Sequence, residues 1–91
     1  MSDKFADLQV EPDTRLYWRK ALSLGGFDAV LEWWSWDGDI EGDSVIFCSE
    51  DVATLSDEAL KALVREHFKL TKDDFTFKRG PQYTFLNFNF R

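Results

Sequence analysis

The sequence predicts a small α+β domain, with an antiparallel sheet of about four strands and one or two helices on one face. Helical spacing is clear over residues 57–68, and apolar and polar side chains alternate after residue 75. Turn-forming residues separate the segments between residues 25 and 43. No repeat or linker divides the chain, so residues 1–91 are expected to form a single domain with the order α-β-β-α-β-β.

The composition supports a folded chain. Of its 91 residues, 44% are hydrophobic, and they include nine Phe, four Trp and two Tyr. Aromatic rings remove a large area from water while freezing few rotatable bonds, so one core can form even in a chain this short. A disordered acidic segment would be poor in such residues.

The first element is ambiguous. Residues 13–23 fit a helix with Asp13 as its N-cap and with Leu16 and Leu24 on one side. They also fit a strand that ends at Gly25-Gly26. We predict the helix.

A hairpin is expected next. Residues 29–36 contain Trp33, Trp34 and Trp36, which favour a strand, although the apolar spacing there also fits an amphipathic helix. Residues 44–48 form a short β-branched and aromatic strand, and the turn-rich residues 37–43 connect the two.

A helix is predicted from Asp57 to Phe68. Ser56 is a suitable N-cap, and acidic residues in the first turn suit the helix dipole. Leu55 and Leu60 occupy hydrophobic-staple positions. A second hairpin should follow, with strands over residues 75–78 and 83–90 around a turn at residues 79–82.

Charge is strongly segregated along the chain. Residues 21–60 hold ten carboxylates and no lysine or arginine, a formal charge of −10, whereas residues 61–91 carry +4. The lone Cys48 allows no intrachain disulfide, and neither a secretory signal nor a membrane-length apolar run is visible. We therefore expect a cytoplasmic protein, or one of the host cytoplasm if it is phage-encoded, without membrane association.

Seven residues of the first hairpin form the predicted partner-binding site. In a strand, Trp34 and Trp36 share one face with Glu32, and carboxylates crowd the turn that follows. Aromatic anchors inside a polar rim are typical of protein-binding hot spots. The predicted residues are Glu32, Trp34, Trp36, Asp37, Asp39, Glu41 and Asp43.

Four of these carboxylates also resemble part of a calcium loop. Asp37, Asp39, Glu41 and Asp43 alternate along the turn, as in an EF-hand. The position where that motif needs a bidentate glutamate is Cys48. We therefore interpret the segment as an acidic hairpin turn and predict no metal and no cofactor.

Neither catalysis nor nucleic-acid binding is favoured. His67 and Cys48 belong to no nucleophile motif, and no zinc spacing or phosphate-binding loop is present, so we predict that the chain is not an enzyme. Arg79-Gly80, Tyr83 and Phe85 resemble the aromatic strand of an RNA-recognition module, but Pro81 and Gln82 depart from it. A net charge of −6 also repels a polyanion.

These observations predict a small acidic, non-enzymatic protein-binding module: an inhibitor, immunity or adaptor protein. Its acidic and aromatic surface would dock on the basic, nucleic-acid-binding site of a partner, and the chain itself would be a monomer or homodimer. One alternative is an accessory or self-associating subunit. Another is a nucleic-acid-binding module that uses the C-terminal hairpin and the helical cations. The cations in question are Lys61, Arg65, Lys69, Lys72, Lys78 and Arg79.

Overall fold

The described residues form five strands and one α-helix. The computed structural model describes residues 3–71 and 74–90. After a single 3₁₀ turn at Asp3–Phe5, the elements are β1 (Thr14–Leu24), β2 (Phe27–Trp36), β3 (Ile40–Cys48), α1 (Asp57–Phe68), β4 (Thr76–Arg79) and β5 (Tyr83–Phe88).

The strands form one antiparallel sheet in the order β1-β2-β3-β5-β4. The predicted α+β class is therefore confirmed, with five strands and one helix in the order β-β-β-α-β-β. β1 and β4 lie at the edges of the sheet. Within the described residues, no helix has the length and apolar character that a membrane span requires.

The helix predicted for residues 13–23 is wrong. This segment is β1, which pairs with β2 from Thr14↔Trp36 to Leu24↔Phe27. The two strands are joined by Gly25 and Gly26, whose φ angles are 56° and 87°. Consecutive residues with positive φ form the two-residue turns that match the twist of a hairpin, and glycine adopts them without steric cost.

The hairpin of β2 and β3 is confirmed, but its turn is tighter than the sequence suggested. The Trp36 carbonyl accepts a hydrogen bond from the amide of Asp39 at 3.1 Å. Asp37 and Gly38 lie between them with φ angles of 52° and 76°. Because β3 already begins at Ile40, the acidic residues that follow belong to a strand and alternate between its faces.

The helix is confirmed from its first to its last residue. The Ser56 hydroxyl accepts a hydrogen bond from the Ala59 amide at 3.1 Å, as expected of an N-cap. Leu60 and Val64 are fully buried on the side that faces the sheet. Lys69 ends the helix in the left-handed conformation, with φ 57°.

Side chains are buried on both faces of the sheet. On the helix face, Leu60 and Val64 of α1 pack on residues of β2, β3 and β5, which include Leu31, Val45, Phe47, Leu86 and Phe88. The opposite face, which we call the N-terminal face, is covered by Phe5 and Leu8. These two residues pack on Val30, Ile46, Cys48 and Tyr83.

The N-terminal segment is attached to the sheet by polar contacts. The Lys4 ammonium lies 3.0 Å from the Asp51 carboxylate and 3.2 Å from that of Asp28. These two carboxylates raise the Lys4 pKa, Asp51 the more strongly. The Tyr83 hydroxyl donates a hydrogen bond to the Lys4 carbonyl at 2.9 Å. The segment therefore covers one end of the N-terminal face and leaves the other end uncovered.

Replacing the helix N-cap tests the first of these local assignments. We expect Ser56→Ala to lower the free energy of unfolding by about 1 kcal/mol, because the Ala59 amide loses its acceptor at the end of the helix. Urea denaturation followed by circular dichroism measures the change. Ser23→Ala, at an exposed position of β1, is the control and should change the value by less than about 0.5 kcal/mol. Equal losses in the two variants would contradict the capping role.

Candidate functional site

The uncovered end of the N-terminal face forms a groove of about 690 Å³. One side of the groove is the segment of residues 9–13, which ends in a turn, and the other is formed by β4 and β5. Its floor consists of side chains from β1, β2 and β5, namely Leu16, Trp34 and Phe85. The groove is larger than the cavity on the helix face, whose volume is about 470 Å³.

Apolar side chains are concentrated around this groove. Among the described residues, six large hydrophobic side chains are exposed, and four of them line it. Trp36 is 49% exposed, Phe90 42%, and Val10 and Ile40 each 40%. Exposed apolar residues that are scattered singly need no explanation, but a contiguous group in a concave surface is typical of a binding site.

Trp34 is held in the floor of the groove by polar and aromatic contacts. Its indole Nε1 donates a hydrogen bond to the Ser44 hydroxyl, which in turn donates to the Asn87 side-chain oxygen. The Phe90 ring lies edge-on to it at a centroid distance of 6.2 Å. Its cross-strand neighbour is Gly42, where an added Cβ would lie 3.0 Å from the indole ring. The ring therefore depends on glycine at that position.

Glu32 is predicted as a partner-binding acid, but the structure gives it a different role. It is 9% exposed, and its Oε2 lies 2.7 Å from Nε and 2.6 Å from Nη2 of Arg19 on the neighbouring strand. Arg19 also donates a hydrogen bond to the Leu8 carbonyl at 3.4 Å. The Glu32 charge is thus neutralised within the fold, where it links β1 and β2 to the N-terminal segment.

Four exposed carboxylates lie at one end of the groove. Glu11 and Asp13 line it, while Asp37 and Asp39 occupy the adjoining β2–β3 turn. A backbone hydrogen bond of 3.2 Å from the Asp37 amide to the Asp13 carbonyl holds the two segments together. All four residues are exposed. Their like charges share one end of the apolar surface and make it strongly acidic.

Glu32 also lines the groove, and the other six predicted site residues separate into two groups. Trp34 and Trp36 lie in the groove, and Asp37 and Asp39 lie in the turn beside it. Glu41 and Asp43 point to the helix face instead, because they alternate with Ile40 and Gly42 along β3. Asp43 accepts a hydrogen bond from the Asn89 side chain at 3.1 Å.

Sequence reasoning missed the groove residues outside the first hairpin. They include Val10, Glu11 and Asp13 of the N-terminal segment and Phe90 after β5. The segment before β1 has no periodicity that predicts its path. The only signal in the sequence was the composition of this segment. An apolar residue is followed closely by carboxylates, as in the first hairpin.

The calcium-loop carboxylates do not form one cluster. Asp37 and Asp39 lie in the turn, whereas Glu41 and Asp43 lie in β3 on the helix face. In the described part of the chain, no group of three or more His, Cys, Asp or Glu side chains is placed to hold a metal ion.

The two candidate catalytic residues lie on different sides of the sheet. Cys48 is buried on the N-terminal face, with its Sγ 3.8 Å from the Lys4 carbonyl. Burial raises the pKa of its thiol, and the negative charge of Asp51 adds to the effect, so the unreactive protonated form is favoured. His67 is exposed on α1, which covers the helix face. The two side chains therefore do not form a pair.

The predicted cations also separate. Lys61, Arg65 and Lys69 belong to α1 or its C-cap, whereas Lys78 lines the groove on the opposite face. Arg79 donates hydrogen bonds to the Asp57 carboxylate and to the carbonyls of Val52 and Leu55. Lys72 lies outside the described residues.

The aromatic pair of the RNA-module resemblance is likewise divided. Tyr83 is 7% exposed, and its ring stacks on Phe5 at a centroid distance of 5.9 Å. Phe85 lies in the groove floor. A base therefore has no access to the face of Tyr83 as long as the N-terminal segment covers it.

The Arg19–Glu32 ion pair supplies a test of how the groove is built. We expect Arg19→Leu to lower the free energy of unfolding by roughly 3 kcal/mol, because it leaves the Glu32 carboxylate buried without its partner. Adding Glu32→Leu to this variant should restore most of the loss, since no charge is then buried. Denaturant unfolding of both variants measures the effect. An additive loss in the double variant would show that the two side chains act independently.

No protein-family model matches the chain, and comparisons with curated proteins and with solved structures find no match either. A function is therefore inferred from the groove and from the carboxylates beside it.

Proposed function

We propose that the chain is a non-enzymatic protein-binding module that docks its groove on a basic site of a partner protein. The observation that carries this proposal is the coincidence of two features at one place. Four exposed apolar side chains line the groove, and four exposed carboxylates lie at one end of it. Neither feature has an internal role in the fold comparable to that of Glu32.

The composition of this surface matches that of a protein interface. A central aromatic anchor inside a polar rim is where binding energy concentrates, and Trp36 is the most exposed of the large apolar side chains among the described residues. Trp34 is pre-oriented by Ser44 and Phe90, so little conformational entropy is lost when a partner covers it.

The charge indicates which partner fits. Carboxylates on rigid backbone attract Lys and Arg side chains, accelerate encounter and exclude acidic surfaces. A protein site that binds nucleic-acid phosphates has the complementary charge. Docking there would place carboxylates where phosphates bind, and the mechanism would be competition with the nucleic acid. This is the mode of action of an inhibitor, immunity or adaptor protein.

Neutralising the acidic end of the groove tests the role of charge. We expect Glu11→Gln, Asp37→Asn and Asp39→Asn together to slow association with the partner about tenfold at low salt, because electrostatic steering is lost. Dissociation should change less. Surface plasmon resonance at several salt concentrations measures both rates, and the salt dependence of association should become shallower.

A matched control removes the same total charge elsewhere. Glu50→Gln, Glu66→Gln and Asp74→Asn alter three exposed carboxylates outside the groove. This control should associate nearly as fast as the unmodified chain. Equal slowing in the two triple variants would mean that net charge alone attracts the partner, and it would remove the groove from the proposal.

Two exposed tryptophans, one in the groove and one outside it, allow the contribution of the groove to binding to be tested. Trp36→Ala should accelerate dissociation by roughly 30-fold, equivalent to about 2 kcal/mol for the loss of an interface anchor. Trp18→Ala is the control, since Trp18 is 41% exposed but does not line the groove. If Trp18→Ala weakens binding and Trp36→Ala does not, the groove is not the docking surface.

The partner required for these measurements is obtained by capture at low salt and elution with a salt gradient. Each captured protein is then tested for nucleic-acid binding with and without the chain. We expect the chain to displace the nucleic acid. A captured protein that binds the chain and its nucleic acid simultaneously would refute the competitive mechanism.

A further inference from the structure

A second surface, at the outer edge of β1, has the opposite charge to the groove. β1 is an edge strand of 11 residues, and the described part of the chain places no strand beside its outer edge. Its sequence contains Arg15, Arg19 and Lys20 and no acidic residue. Such an edge presents backbone N–H and C=O groups on which an extended segment of another protein can form hydrogen bonds.

Aromatic side chains accompany this edge on the helix face. Tyr17 and Trp18 are 39% and 41% exposed, and they are the only exposed large apolar residues of the described chain that do not line the groove. The Tyr17 ring stacks on Trp33 of β2 at a centroid distance of 4.4 Å, and Trp18 lies 6.3 Å from the same ring. We call Tyr17, Trp18 and Trp33 the aromatic platform.

The register between β1 and β2 explains how the adjacent residues Tyr17 and Trp18 both lie on the helix face. Trp18 pairs with Trp33 and Lys20 with Leu31, but the register shifts between Leu16 and Trp18. This irregularity is a β-bulge, which changes the alternation of side chains along a strand. Tyr17 can therefore stack on Trp33 although Trp18 lies beside the same residue.

Two cations flank the platform. The Arg15 guanidinium lies 5.3 Å from the Tyr17 ring centroid, and the Lys20 ammonium lies 5.6 Å from that of Trp18. Their cross-strand partners, Ser35 and Leu31, lie on the helix face with Trp33, and Arg15 and Lys20 therefore lie on that face too. The helix face at β1 thus presents a cation, an aromatic pair and a second cation in order along the strand.

The cavity on the helix face, of about 470 Å³, adjoins the platform. Trp18 and Trp33 form one side of it, and Leu31, Phe68 and Phe88 contribute apolar atoms. Asp43 also lines it, so the position of the added strand that enters the cavity is the apolar one and not an acid. A strand added to β1 would lie within about 5 Å of it, so a side chain directed to the helix face would stand next to this cavity. The cavity has room for an aromatic or aliphatic residue from the added strand.

We propose that the β1 edge binds an extended acidic segment of a partner protein, which adds to the sheet as a sixth strand. The fitting pattern is acid–x–apolar–x–acid, in which the acids face Arg15 and Lys20 and the apolar residue contacts the aromatic platform. Antiparallel pairing of β1 with β1 of a second copy is opposed by charge, because it would bring four exposed cations together, Arg15 and Lys20 of each copy. Binding at this edge does not depend on the function of the groove, which selects a basic partner.

The test uses two blocked peptides that differ only in charge. One has the sequence Thr-Glu-Thr-Phe-Thr-Glu-Thr, and the other has Lys in place of Glu. Titration of the ¹⁵N-labelled chain at low salt should give saturable amide shifts in residues 14–24 with the acidic peptide. The lysine peptide should bind at least about tenfold more weakly than the acidic one. Equal binding of both peptides, or shifts confined to the groove, would overturn the proposal.

Charge reversal on the protein complements the comparison of the two peptides. Arg15→Glu with Lys20→Glu should weaken binding of the acidic peptide about tenfold, whereas Lys61→Glu with Lys69→Glu on the helix should leave it within about twofold. Circular dichroism checks that both variants are folded. If the β1 variant does not fold, the comparison of the two peptides on the unmodified chain still decides the question.

Two further measurements distinguish strand addition from attraction by charge alone and from self-association. N-methylation of alternate residues of the acidic peptide, in two complementary sets, removes the backbone donors of one edge at a time. One set should abolish binding and the other should preserve it; binding of both sets would show attraction by charge alone and refute strand pairing. Sedimentation of the free chain as a dimer with protected β1 amides would also refute it, since a second copy would then occupy the edge.

Discussion

The sheet buries side chains on both of its faces, and few residues outside the strands are left to cover them. β2 and β3 direct Leu31 and Val45 to the helix face, and Val30 and Ile46 to the N-terminal face. One helix of 12 residues covers the first face. In the described part of the chain, the second is covered by Phe5 and Leu8 at one end only, so the apolar residues at its far end remain accessible. The groove is thus a consequence of how few residues cover this face, and its floor continues the same layer of side chains that forms the core. A site of this kind is rigid without further support, because the sheet below it is already packed.

Polar contacts of the N-terminal segment determine where the boundary between core and groove lies. The N-terminal segment is fixed at its start by Lys4 and at Leu8 by Arg19, which at the same time neutralises Glu32. Charged and polar groups are retained in an interior only when their partners are in place. The path of residues 9–13 is therefore set at one end by the contact of Leu8 with Arg19 and at the other by the hydrogen bond from the Asp37 amide to the Asp13 carbonyl. The carboxylates of Glu11 and Asp13 consequently lie at the same end of the groove as the β2–β3 turn. The acidic end of the groove is in this way assembled from two segments that are distant in sequence.

The elements with strong local signals were predictable. Ser56, the acidic first turn and the spacing of Leu60 and Val64 define α1, and the aromatic residues of 29–36 define β2. The β1 segment was assigned to a helix because an edge strand that is solvated on both faces shows no alternation of apolar and polar residues. Gly25-Gly26 was the better signal, since a two-glycine turn before a strand predicts a hairpin. In the same way, Asp37-Gly38 marks where β2 ends, and Glu41 and Asp43 therefore lie within β3. The role of Glu32 could not be predicted, because its partner Arg19 lies on another strand and the pair exists only once the register is fixed.

The two proposed surfaces are opposite in charge, and this has a consequence for selectivity. Leu16 lines the groove and Trp18 belongs to the aromatic platform, so a single irregularity in β1 separates a surface with four exposed carboxylates from one with two exposed cations. Under the two proposals, a basic partner that fits the groove would be repelled at β1, and an acidic strand that fits β1 would be repelled by the groove. Such mutual exclusion would determine which face a partner can use before any close contact forms. A net charge of −6 does not reveal this arrangement; it depends on the pairing of β1 with β2, which brings a strand without acids beside the most acidic segment of the chain.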